Sequence, residues 1–312
     1  MSLFWLRIAT IAVLVGCLVL EPSSSAKAEE RGLFVIAHMA NSKAAIDWAI
    51  GQGANAIEAD LNFDEGKPTV FRHGFPCECT PGPLCLHGRE SICRNGSSCK
   101  ASMGAIDLLR HVASQTQLAL LVIDSKLHNS KQPMPEPEQK MAGKEIVELL
   151  GRELFHNGYA GKVIVSVAEI EPSTSYLRAA AATAAGKSFA DRIYFSFDQE
   201  GNKVKEVLTA LRDLPSKARA FGTGITACWF EQENYARGIR LADKNKTAGT
   251  ASFVYIWTID KRSSMERYIE AGAQGIMTNV PGRLRELIKE RGATLATSKT
   301  PIPMATSDAM VD

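Results

Sequence analysis

The sequence predicts a (β/α)8 barrel, a TIM-barrel α/β fold, on three observations. From Leu33 onward, short runs dense in Val, Ile, Leu and Phe alternate with segments of helical periodicity, the pattern of parallel strands covered on both faces. Eight such runs follow one another in a stretch close to the roughly 250 residues that these barrels use as one domain. No G-x-G-x-x-G follows the first run, which removes the main support for a dinucleotide-binding open sheet.

The first 28 residues stand outside that fold. Arg7 precedes an apolar run from Ile8 to Leu20, and small and polar residues then lead to Ala26-Lys27-Ala28. A basic start, an apolar middle and an A-x-A end describe a secretory signal peptide over residues 1–28. The apolar run is too short to span a bilayer. The whole chain carries 36 Lys and Arg against 34 Asp and Glu, a net charge of +2. Loss of Arg7, Lys27 and Glu21 with the signal leaves about +1. Nucleic-acid binders show a clear basic excess, so no nucleic-acid partner is expected. The product is expected to be extracellular and monomeric.

The strands fall at 33–38, 56–62, 119–126, 162–167, 192–197, 218–222, 253–258 and 275–278. Helices are expected at 43–51, 138–154, 175–185, 204–212, 231–242, 263–271 and 282–290. The barrel domain is expected to occupy residues 29–292. Gly74 to Met103, rich in Pro, Gly and Cys, reads as one long irregular loop after the second strand, and loops of this length are usually functional. Residues 293–312, rich in Thr, Ser, Pro and Ala, are expected to be loosely ordered.

Barrel active sites form at the C-terminal ends of the strands. Strand one ends at His38, strand two carries Glu58 and Asp60 with His73 soon after, and strand three ends at Asp124 and Lys126. Residues i and i+2 of a strand share a face, so Glu58 and Asp60 point the same way and need a neutralising cation. Asp124 adds a third oxygen ligand, and three carboxylates without a soft ligand suit Mg²⁺. Two imidazoles beside such a site can remove one proton and deliver another during phosphodiester cleavage. Lys126, on the Asp124 face, either steadies a phosphate or bridges to a ligand carboxylate. Tyr255 and Trp257 share a face near the end of strand seven, where they are expected to form an aromatic wall for an amphiphile with a cationic head group. His87, His111, His128 and His156 lack this placement.

Beyond the signal the chain holds Cys77, Cys79, Cys85, Cys93, Cys99 and Cys228. An even set crowded into one segment reads as a disulfide framework in an oxidising compartment. A zinc knuckle from Cys77, Cys79, Cys85 and His87 fits less well, because C-x-C lacks the usual spacing. Asn95-Gly-Ser97 and Asn245-Lys-Thr247 are glycosylation sequons.

Taken together, Ala-His38-Met-Ala-Asn, Ala-Ile-Glu58-Ala-Asp60-Leu, His73-Gly-Phe-Pro-Cys77-Glu-Cys79, Asp124-Ser-Lys126 and Tyr255-Ile-Trp257-Thr-Ile-Asp260-Lys-Arg-Ser resemble the arachnid phospholipase D toxins. These are also called sphingomyelinase D or dermonecrotic toxins and are relatives of the glycerophosphodiester phosphodiesterases. The likeness runs from about Arg31 to about Leu287. It implies that His38 and His73 are the catalytic pair and that Glu58, Asp60 and Asp124 bind Mg²⁺. It also implies that Lys126, Tyr255, Trp257, Asp260 and Asn279 line the phosphate and head-group pocket. The implied reaction releases choline from sphingomyelin or lysophospholipid at the outer membrane leaflet, through transient contact. The substrate's own hydroxyl attacks phosphorus and a cyclic phosphate remains, so the enzyme is formally a lyase.

The resemblance further implies a Cys79–Cys228 bridge with Cys77–Cys85 beside it, which leaves Cys93–Cys99. The loop is longer than the family's, and its C-terminal Asp-Asn-Pro-Trp plug is missing. Hydrolysis of water-soluble glycerophosphodiesters and catalytically silent lipid binding are the alternative functions.

Overall fold

A computed structural model describes residues 32–80, 87–129, 132–199, 203–227 and 233–311. The signal segment therefore lies outside the described residues, as do Cys85 and Cys228. Among the described residues, no helix is long and apolar enough to cross a membrane.

Eight parallel strands close into a barrel. In chain order they are β1 (Phe34–Ala37), β2 (Ala56–Asp64), β5 (Leu120–Lys126), β8 (Lys162–Val167), β9 (Ile193–Phe197), β10 (Arg219–Gly224), β11 (Phe253–Trp257) and β12 (Gly275–Thr278). Each pairs with the next, and β12 returns to β1 with Phe34 opposite Gly275. Short strands β3 (Lys67–Phe71), β4 (Met103–Gly104), β6 (His128–Asn129) and β7 (Gln132–Pro133) lie outside the ring. The outer layer comprises α1 (Lys43–Gly51), α2 (Ala105–Ala113), α3 (Glu136–Leu150), α4 (Thr174–Ala184), α5 (Val204–Arg212), α6 (Glu233–Thr247), α7 (Arg262–Glu270) and α8 (Pro281–Glu290).

The period-two rule decides what fills the barrel. Phe34 and Ile36, Leu120 and Val122, Ile164, Tyr194, Ala220, Phe253 and Met277 form an inner apolar cluster distinct from the strand–helix core. Continuing each inward series by two residues brings polar groups to the top: His38, Glu58 with Asp60, Asp124 with Lys126, Asp198 and Trp257. An apolar base thus supports a polar mouth, as barrel packing requires.

The strand positions agree with the sequence reading, but β2 runs on to Asp64 and folds back as β3. The two turn residues, Glu65 (φ 47°) and Gly66 (φ 76°), both adopt the left-handed conformation that a two-residue hairpin turn of this hand requires. The hairpin carries His73 back to the mouth, and the Arg72 amide donates to the Asp60 carbonyl at 2.7 Å. Helix α2 and strand β3 were not anticipated.

Three expectations are corrected. The tail at 293–312 is not loose along its described length. Leu295 bridges to Leu33, Lys162 Nζ donates to the Ser298 and Thr300 carbonyls at 3.1 and 2.7 Å, and the Tyr194 hydroxyl donates to the Ile302 carbonyl. Ala296 and Ile302 join the inner apolar cluster, so the tail closes the barrel floor. The loop disulfides are Cys77–Cys99 and Cys79–Cys93, which replace the expected Cys77–Cys85, Cys79–Cys228 and Cys93–Cys99 pairs. The short helical turn Ile92–Arg94 presents Cys93 to Cys79. Finally, the Asn245 amide presents no free surface for a glycan. It is 1% exposed, donates to the Leu241 and Val311 carbonyls, and accepts from the Val311 amide. Asn95 is half-buried, with Nδ2 donating to the Arg89 and Ser91 carbonyls.

Candidate active site

The disulfide-rich loop is folded onto the mouth. Ser97 Oγ donates to the Met39 carbonyl at 2.7 Å, and Ser42 Oγ donates to the Gly96 carbonyl at 3.0 Å. Gly96 (φ 130°) lies so close to Ala44 that a Cβ would meet its backbone at 2.9 Å. The two loop disulfides flank Glu78, whose side chain is buried in the mouth. A cavity of about 470 Å³ opens there, lined by His38, Glu58, Asp60, His73, Glu78, Asp124, Lys126, Asp198 and Trp257 among others.

His38 is held from behind. Its Nδ1 lies 3.0 Å from Asn279 Oδ1 and 3.3 Å from Glu78 Oε2. Asn279 Nδ2 donates to Glu78 Oε2 at 2.8 Å and to Asp260 Oδ2 at 3.0 Å. Those two carboxylates turn the amide oxygen toward His38, so Nδ1 carries a proton and Nε2 is left for the cavity. Nε2 lies 3.8 Å from Glu58 Oε2. Burial alone would lower the imidazole, but Glu78, with added pull from Glu58 and Asp60, pushes it up to about 10. For Glu78 burial works upward, and the His38 charge overcomes it, holding the carboxyl down at about 2. His73 lines the same cavity, half-buried, with Nδ1 3.3 Å from the Gly74 carbonyl.

The carboxylate trio assembles because Asp60 and Asp124 face each other in the β2–β5 register, with Glu58 two residues below. Among the described residues, Glu58, Asp60 and Asp124 bring one oxygen each within 4.8 Å of one another. Lys126 Nζ bridges Asp60 at 2.8 Å and also binds Asp124. Asn41 Nδ2 donates to Asp60 Oδ2 at 2.6 Å. Burial would raise Asp60, but the Lys126 charge holds it down at about 2. Glu58 is pushed up to about 8 by burial and by the Asp60 charge. With all three carboxylates ionised, the one lysine leaves the cluster two charges negative. The remaining Asp124 oxygen, Oδ1, is buried with no hydrogen-bond partner. Buried oxygens are rarely left orphaned, so the cluster fits a divalent cation by both charge and unmet coordination.

The other expected pocket residues divide. Lys126 and Trp257 line the cavity, whereas Tyr255, Asp260 and Asn279 stand behind it. Tyr255 is fully buried and forms no aromatic wall: its hydroxyl donates to Asp198 and lies 3.1 Å from Ser196 Oγ. Asp260 accepts from the Asn279 amide at 2.8 Å and from Thr278 Oγ1 at 2.9 Å, fixing the residue that orients His38. The expected list lacked Asp198 and Glu78. Asp198 follows Tyr194 and Ser196 on one inward series, so the spacing used for Glu58 and Asp60 applies equally there. Burial pushes Asp198 up to about 7 against the hydrogen bonds of Ser196 and Tyr255. Glu78 sits in an irregular loop and has no such signal.

Known proteins share this architecture. A protein from Silicibacter pomeroyi assigned to the glycerophosphoryl diester phosphodiesterases superposes with a TM-score of 0.58 at 12% identity, over 88% of this chain and 100% of that one. A glycerophosphodiester phosphodiesterase from Parabacteroides distasonis gives 0.51 at 11% identity, over 83% and 99%. At these identities the likeness is one of fold. Sequence relatives are nearer. The dermonecrotic toxin LiSicTox-betaID1 of Loxosceles intermedia is 28% identical over 287 residues, covering 84% of this chain and 83% of the toxin. LiSicTox-alphaIA1a of the same spider genus is 26% identical over 307 residues, covering 90% and 92%. The family model for dermonecrotic toxin SPH matches residues 28–299, and the chain belongs to the dermonecrotic toxin family.

Proposed function

We propose that this protein is a secreted, Mg²⁺-dependent phospholipase D-type enzyme that cleaves sphingomyelin and lysophospholipids at the outer leaflet of a membrane. It releases the head-group alcohol, choline, and leaves a cyclic phosphate. The observation that carries this reading is one cavity that joins two imidazoles, one ammonium and a carboxylate trio with an unmet oxygen. Glu58, Asp60 and Asp124 would hold the Mg²⁺, which when bound supplies positive charge to a phosphoryl oxygen.

The chain's own groups account for the proton movements. The substrate hydroxyl forms the new bond to phosphorus while the bond from phosphorus to the choline oxygen breaks. One imidazole takes the hydroxyl proton and the other protonates the departing oxygen, so no water is consumed. At His38 the proton passes through Nε2, because Asn279 and Glu78 hold Nδ1. Glu78 steadies the imidazolium, as a buried carboxylate does in a hydrolytic triad. Lys126 keeps Asp60 ionised and holds Asp124 beside it. Trp257 and Asp198 supply an aromatic surface and a carboxylate for a quaternary ammonium group.

The test is choline release by protein treated with EDTA and then resupplied with Mg²⁺. Sphingomyelin, lysophosphatidylcholine and glycerophosphocholine serve as substrates. Release from the first two, lost with EDTA and restored by Mg²⁺, is expected. Turnover of glycerophosphocholine alone would replace the reading with a glycerophosphodiester phosphodiesterase, and no turnover at all would leave a silent lipid binder.

A further inference from the structure

Phe75 is 78% exposed, the largest exposure among the large apolar side chains described. Single exposed apolar residues are ordinary on protein surfaces, so its position has to carry the weight. It lies two residues beyond His73 and directly before Pro76, and both of those neighbours line the cavity. Phe75 does not line it, so its ring stands outside the mouth.

The segment is fixed in that pose from both sides. His73 follows the β3 strand, which is paired to β2. On the other side Cys77 is bonded to Cys99, and its amide donates to Thr80 Oγ1 at 2.9 Å. Glu78 Oε1 then accepts from the Ala227 amide at 2.9 Å, anchoring the loop across the mouth. These ties hold the backbone on either side of Phe75, and Arg72, three residues before it, is exposed as well.

We propose that Phe75 is the membrane-docking residue, inserting into the interfacial layer of a phospholipid surface so that the cavity mouth faces the head groups. The inference rests on the phospholipid reading above, because a water-soluble diester would need no such contact. A bilayer is the occupant that an isolated aromatic ring at the rim of an amphiphile's site fits, since an aromatic ring favours the membrane–water boundary. Transfer of one Phe ring from water to an apolar layer corresponds to roughly tenfold to a hundredfold in partitioning.

Phe75→Ser and Phe75→Trp proteins test this. Sedimentation with sphingomyelin–phosphatidylcholine vesicles, in EDTA, reads binding without turnover. Rates on short-chain lysophosphatidylcholine below its micelle concentration read the cavity alone. Phe75→Ser is expected to lose about tenfold or more in vesicle binding and to keep its rate on the monomeric substrate. Phe75→Trp should bind as wild type does, with its added fluorescence shifting to the blue on vesicles. Equal vesicle binding by wild type and Phe75→Ser would overturn the proposal, as would an equal loss on the monomeric substrate. If the wild type turns over neither substrate, the phospholipid reading fails, and the sedimentation result still judges the docking surface separately.

Discussion

Replacing Glu78 by Gln keeps the side chain's shape and removes its charge from behind His38. The magnitude follows from the pair's own acidity. Glu78 falls from 4.5 to about 2, chiefly through His38, and at about 1.4 kcal/mol per tenfold change this is worth roughly 3 kcal/mol. The rise of His38 is larger because it also contains Glu58 and Asp60, so the Glu78 figure is the one that belongs to this pair. The depressed Glu78 contributes stability that is present above 4.5 and lost as pH falls toward 2. The raised His38 contributes stability that is full below 6.5 and lost as pH climbs toward 10. Urea unfolding in EDTA should therefore show Glu78→Gln less stable than wild type by roughly 3 kcal/mol between about pH 4.5 and 6.5. The gap should shrink on either side of that window. A gap that is absent at pH 5.5, or flat from pH 3 to 9, would refute the pairing of these two groups.

Other substitutions probe the remaining parts. His38→Ala and His73→Ala should each abolish choline release while circular dichroism stays native, and near-full rate in either would remove that histidine from the chemistry. Asp198 is raised from 3.8 to about 7 by burial, so the folded state holds a proton that the unfolded state has lost, and stability falls as pH rises across that range. Asp198→Asn should thus be the more stable protein above pH 7, by up to about 4 kcal/mol, and no more stable below pH 4. Its choline release should drop, and unchanged release would deny Asp198 a place in head-group binding. Deleting residues 301–312 exposes the barrel floor beneath Ile302, 5% exposed in the intact chain. The melting temperature should fall by at least about 4 °C, and an unchanged melt would show that the tail does not support the barrel.

Much of the site is readable from the chain because barrel geometry converts strand spacing into position. His38, Glu58, Asp60, Asp124 and Lys126 lie at strand ends on inward series, and one cavity brings them together. The same spacing misled at Tyr255, because a residue two places before the rim sits deeper and is covered: its hydroxyl meets Asp198 rather than a ligand. The tail looked disordered because its attachment runs through backbone carbonyls taken by Lys162 and Tyr194, which leave no hydrophobic period. The cysteine pairing depended on how the loop folds over Met39 and Ser42, a long-range contact that spacing does not encode. Glu78 was hidden for the same reason, although it touches His38 as closely as any group in the mouth except Asn279.

The most direct measurement is phosphorus NMR of the products formed from sphingomyelin by the Mg²⁺-loaded protein. A cyclic phosphate appearing as the first and main product, in step with choline, is the predicted result. A linear phosphate from the earliest time point would contradict attack by the substrate's own hydroxyl, and an unchanged spectrum would contradict the assignment of this mouth to phosphodiester cleavage.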